Sequence, residues 1–118
     1  MMEAMDQQAP NPFQSRAESL RQMTPAFVAD LFLYESADGG KSIPALPGWG
    51  CPCVPDTNDS FGAFDGWPIL EEPLRPGEKR AGVPFVFLTS EGAEAMRRSG
   101  RFFLQEGRRV GEAVIVLD

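Results

Sequence analysis

A chain of 118 residues holds one domain and one core, with no room for a second domain of ordinary size. Its hydrophobic content of 42% excludes disorder throughout, and 12 glycines with 11 prolines favour short strands and turns over long helices. The formal net charge of −6 is unevenly placed: 11 acidic and 3 basic side chains before Arg75 leave −8, while 6 acidic and 8 basic ones from Arg75 onward leave +2, so a polyanion would be repelled except over a restricted patch.

Met1 to Pro10 has neither the basic start nor the apolar centre of a secretory signal, and no apolar run nears the roughly 20 residues that cross a bilayer. With two cysteines besides, the expected location is the cytoplasm. Residues 1–14 are polar, with Pro10 and Pro12, and are expected to be mobile. Ser15 and Glu18 then have capping-box spacing, and Ala17, Leu20 and Met23 share one helical side. This predicts a short helix stopped at Thr24-Pro25, with a plain linker as its blander reading. Residues 1–25 are thus a tail with a short helix, and 26–118 the folded domain.

Strands are predicted over 27–34, 83–88, 101–105 and 110–117, from apolar and β-branched runs bounded by Gly-rich turns. The Gly-, Pro- and aromatic-rich stretch 43–73 is expected to hold two short, irregular strands near 51–54 and 61–69. Ser90 to Ser99 reads as a helix joining two strands. Glu91 and Glu94 fall in its first turn, Arg97 and Arg98 in its last, and Gly100 supplies a left-handed cap. Period-two alternation puts Phe27, Ala29, Leu31 and Leu33 on one face of the first strand, with Phe32 and Tyr34 on the other. In the last strand Gly111, Ala113, Ile115 and Leu117 share a face, with Val114 and Val116 opposite.

Motifs that suggest chemistry are incomplete. Gly40-Lys41-Ser42 resembles the end of a phosphate-binding loop, but Glu35 stands where the first glycine is needed and Ile43-Pro44 cannot readily open a helix. The stretch reads as a hairpin turn, with no GTP site. Cys51-Pro52-Cys53 places two sulfurs on one side of an extended segment, yet a zinc site wants four ligands and the chain has no histidine and no third cysteine. Two small packed side chains are preferred to a thiol switch. Asp56-Thr57-Asn58-Asp59-Ser60 hints at a calcium loop, but Phe61 and Trp67 occupy the positions that require Gly and Glu. Without histidine there is no ordinary Ser-His or Cys-His pair, and the expectation is a protein with no catalytic site, metal or cofactor.

A set of short markers runs in order through the chain: Gly39-Gly40-Lys41 with Pro44, Gly48-Trp49, Thr57, Asp59 and Gly62, Pro76-Gly77-Glu78, Arg101-Phe102, Glu106-Gly107-Arg108, and Val110-Gly111. With these, the chain from Phe27 to Asp118 resembles the third, C-terminal β-barrel domain of bacterial elongation factor Tu. The resemblance implies a small barrel without the GTPase domain or the pocket for the aminoacyl end of tRNA. In that family the third domain also touches the T-stem of tRNA. Glu106 and Gly107 match one of those contacts, whereas Pro52 and Phe61 replace polar contacts and Asp56 replaces an arginine, which should weaken RNA binding.

The fold class expected is all-β: a small antiparallel β-barrel with a short N-terminal helix and one short connecting helix. The function expected is a non-catalytic protein-interaction module associated with the translation machinery or mimicking a domain of elongation factor Tu. Its interaction surface would be Phe32, Tyr34, Val114 and Val116, and its partner another protein, such as a translation factor, or a second copy. The alternative is weak binding of tRNA or structured RNA through Arg97, Arg98, Arg101, Glu106, Gly107, Arg108 and Arg109. A redox or thiol-dependent role for Cys51 and Cys53 stands third.

Overall fold

The computed structural model describes residues 10–56 and 62–116. Strands β1 (Phe27–Leu33), β2 (Cys51–Pro55), β3 (Phe64–Pro68), β4 (Lys79–Phe87), β5 (Arg101–Gln105) and β6 (Arg109–Ile115) close into an antiparallel barrel in the order β1-β4-β3-β2-β5-β6. Helix α1 (Gln14–Arg21) precedes the barrel and α2 (Ser90–Ser99) joins β4 to β5. The expected all-β barrel with its two short helices is what forms. The expectations for residues 1–9, for Thr57, Asp59 and Phe61, and for Leu117 and Asp118 lie outside the described residues.

Alternation explains which side of β1 and of most of β6 turns inward. Ala29, Leu31 and Leu33 of β1 and Gly111, Ala113 and Ile115 of β6 are buried, while Val28, Asp30 and Val114 between them are exposed. Val110 is buried out of phase, where the pairing shifts from Leu104 facing Gly111 to Gln105 facing Arg109. Inside, Phe85 and Phe102 are fully buried, with ring centres 5.2 Å apart at 85°. Phe27 and Phe87 pack edge-on against Phe102, at 5.7 and 6.0 Å. Edge-to-face rings suit the aromatic quadrupole, and truncating a buried phenylalanine of this kind costs about 3–5 kcal/mol. Leu31, Leu33, Leu70, Leu74, Met96, Leu104 and Val110 fill the remaining interior.

β1 pairs with β4 through a one-residue register shift. Ala29 faces Val83 but Leu31 faces Arg80, so Ala81 and Gly82 together oppose Asp30, whose carboxylate accepts the Gly82 N–H at 2.9 Å. Such a bulge bends the strand and tightens its twist, which helps so small a barrel to close.

Helix α2 matches its expected span. Thr89 caps it by accepting the Gly92 N–H at 3.0 Å, and Gly100 ends it at φ 77°, a left-handed value that a side chain would disfavour. Glu94 is not a first-turn acid. It sits mid-helix, paired with Arg97 at 3.2 Å and Arg98 at 3.8 Å.

Three local expectations are corrected. Ser15 and Glu18 form no capping box: α1 begins a residue before Ser15, with Phe13 at the cap position, and Glu18 instead accepts from Gln14. Met23 lies beyond the helix and is exposed, leaving Ala17 and Leu20 as the buried pair. Just before α1, Asn11 docks the chain on Pro47, donating to its carbonyl and accepting from the Phe13 N–H. Gly48 makes that docking possible, because a Cβ there would fall 2.5 Å from the Phe13 carbonyl oxygen. Finally, Gly40-Lys41-Ser42 is no hairpin turn. The chain passes through a 3-10 turn (Ser36–Asp38), and β1 finds its neighbours in β4 and β6.

Candidate docking face

The outer side of β6, β1 and β4 carries the four residues expected to dock. Val114 and Val116 remain 48% and 44% exposed, so the described parts of the 43–73 stretch do not seal them. Phe32 and Tyr34 are half-buried and meet edge-on, with ring centres 5.6 Å apart. The Val116 N–H donates to the Val28 carbonyl, so Val28, itself 38% exposed, extends the apolar stripe. Beside it lies a groove of about 350 Å³ lined by Asp30, Phe32, Lys79, Arg80, Glu112 and Val114. Alternation along β1 could have added Val28 and Asp30 to the expected surface. Lys79 and Arg80 carried no such signal, because their place beside Phe32 and Leu31 depends on long-range pairing through the bulge.

At one end of this face the polar side chains are joined. The Tyr34 hydroxyl donates to Glu112 at 2.9 Å, and Arg101 donates to Glu112 and to Asp56, each at 3.0 Å. Burial, then the hydrogen bond and negative charge of Glu112, push the Tyr34 phenol up to about 12. Glu112, and after it Asp56, holds Arg101 more firmly protonated than usual. The Arg101 and Arg109 guanidinium groups lie 5.0 and 3.9 Å from the centre of the Phe103 ring.

The residues that would contact RNA are brought together only in part. Arg101 and Arg109 share Phe103, but Arg101 is held by two carboxylates. Arg97 and Arg98 sit on α2 with Glu94, and Arg97 also donates to the Ala26 carbonyl at 2.7 Å. Arg108 is spent on the carbonyls of Gly39 and Gly40. Gly107 turns the β5–β6 hairpin at φ 77°. Both oxygens of Glu106 are engaged: one accepts from Lys41 at 2.8 Å, the other from the Trp49 indole at 3.0 Å. Partial burial alone would raise the Glu106 carboxyl, but the bonds from Lys41 and Trp49 and the Lys41 charge outweigh it and hold it below the usual range. Lys41 itself is buried and its ammonium lies 4.8 Å from the centre of the Trp49 ring. The lysine of the Gly-Lys-Ser stretch therefore braces the hairpin.

Cys51 and Cys53 are buried free thiols on the interior side of β2. A side-chain hydrogen bond with Cys51, and then burial, push the Cys53 thiol well above its usual value, which disfavours the reactive thiolate. Among the described residues no three His, Cys, Asp or Glu side chains group so as to hold a metal ion, and no helix is long and apolar enough to cross a membrane. No family model matches the chain, and no curated protein matches it in sequence.

Proposed function

We propose that this protein is a non-catalytic, cytoplasmic interaction module whose docking surface is the outer face of β1 and β6. The observation that supports this most is the near-half exposure of Val114 and Val116 on the same outer face as Phe32 and Tyr34, on a barrel whose core is filled without them. Apolar side chains gathered on one exposed face are a common mark of a protein contact. The ordered resemblance to the third domain of elongation factor Tu makes a translation factor the natural candidate, because in that family the barrel's exterior docks on neighbouring domains.

The test compares wild type with Val114→Lys, a substitution that an exposed strand position accepts without stranding a charge. The thermal midpoint should move by no more than a few degrees. Translation factors or ribosomal proteins captured from the source cell, and then bound again in purified form, should be lost. Equal binding by both proteins would reject the face.

RNA binding is the second reading, carried by Arg109, which among the described residues has no carboxylate partner. Filter binding to bulk tRNA at physiological salt should show little retention. Submicromolar affinity that falls steeply with salt and disappears in Arg109→Ala would reverse the ranking.

A further inference from the structure

The registers of the outer face define a small grid. Val116 lies beside Val28, Val114 beside Asp30, and Glu112 beside Phe32, which has Lys79 on its other side. Asp30 therefore stands in the middle of the apolar stripe, between Val28 and Phe32 along β1 and next to Val114 on β6. Its polar contact among the described residues is the Gly82 N–H. Lys79 is exposed and forms no ion pair among the described residues. The other charged groups of the groove are occupied: Arg80 donates to the carbonyls of Glu72 and Pro73, and Glu112 accepts from Tyr34 and Arg101. Among the described residues the face thus presents one carboxylate and one ammonium without an ion-pair partner, a strand apart and one row apart.

Such a face is complementary to itself. A two-fold axis lying in the contact plane, midway between Asp30 and Lys79, sets Asp30 of each copy over Lys79 of the other, and does so twice. The same axis passes close to Phe32, so the two phenylalanines meet at the centre of the contact. Resting on the reading of this face as a docking surface, we infer that in the isolated protein, with no other partner bound, its occupant is a second copy of the chain, held as an isologous dimer through Phe32 and reciprocal Asp30–Lys79 pairs.

The dimer is weak. Three strands about 4.8 Å apart, each rising about 3.3 Å per residue, offer a face on the order of 300 Å², well short of the about 800 Å² per partner of a standard interface. Dissociation in the micromolar range or above follows, and specificity then rests on charge placement more than on area.

Sedimentation equilibrium of the full chain, from about 10 µM to about 1 mM, reads the association directly. Wild type should shift from monomer toward dimer. Asp30→Lys and Lys79→Glu should each weaken it at least about tenfold, since each sets like charges face to face, and the double swap should recover most of the loss. Asp30→Ala separates this role from a simpler one. If the acid only keeps an apolar patch soluble, its removal should strengthen association, and the inference falls; the dimer requires weakening. Circular dichroism melts within a few degrees of wild type confirm that each variant is folded. A wild type that stays monomeric throughout also overturns the dimer. If Val114→Lys still abolishes capture of a different protein in that case, the docking reading survives without it. If Val114→Lys changes nothing, both fall.

Discussion

Lys41 and Glu106, 65 positions apart in the chain, meet at 2.8 Å and fasten the loop after β1 to the turn of the β5–β6 hairpin. The two partners are unequal, for the Lys41 side chain is 6% exposed and that of Glu106 45%. Removing the glutamate strands a buried ammonium, whereas removing the lysine leaves a carboxylate that water can still reach. Glu106→Ala should therefore cost about 2–3 kcal/mol and Lys41→Met clearly less, measured by urea unfolding. The folded carboxyl of Glu106 is held below its unfolded value, so the contribution is fully present above about pH 4.3, the unfolded glutamate value, and is lost as pH falls through the folded one. The stability difference between wild type and Glu106→Gln should shrink over that acid range. A difference that stays constant down to pH 2 would contradict this account of the pair.

Tyr34 is the only tyrosine, so an ultraviolet difference titration reads it alone. Its midpoint should lie near 12, as burial and Glu112 dictate, and Glu112→Gln should move it down toward the ordinary value. The folded phenol is raised above its unfolded value, so its contribution is complete below about pH 10 and is lost as pH climbs through the folded midpoint. A midpoint near 10 in the intact fold would show that the Tyr34–Glu112 bond does not persist in solution.

Cys51 and Cys53 should resist a thiol reagent such as dithionitrobenzoate at neutral pH and react at once in denaturant. Burial keeps the reagent away, and the raised Cys53 thiol keeps the thiolate scarce. Rapid labelling of the native protein at either cysteine would revive a redox role.

The fold was largely legible because its signals are local. Alternation along 27–33 and 111–115 reveals which side chains enter the core, and Glu91 at its start with Arg97, Arg98 and Gly100 at its end frames α2 within the sequence itself. The candidate face was legible in part. Val114 and Val116 follow from alternation alone, while the company kept by Asp30 does not. It depends on a single extra residue at Ala81–Gly82 that shifts which β4 side chains lie beside Phe32. Lys41 shows the same limit more sharply. Its Gly-Lys-Ser setting suggests phosphate, and the glutamate that engages it lies on the far side of the barrel's connectivity. The misread cap at Ser15 has a different cause: α1 is positioned by docking on Pro47 and Gly48, which overrides the weak capping preference.

The seam between β1 and β6 also governs the order in which the molecule can be made. β1 is synthesised early, yet one of its two neighbours is β4 and the other is the last strand of the barrel. Until β6 leaves the ribosome, Phe27–Leu33 keeps one row of backbone donors and acceptors unpaired beside an apolar sequence. The nascent chain thus exposes this apolar segment while every strand between β1 and β6 is made. Final closure must bring together segments from opposite ends of the sequence, and a search of that span slows folding. Refolding from denaturant is accordingly placed in the milliseconds-to-seconds range of non-local β-topologies, with chaperone dependence in the cell greatest for truncations that remove β6.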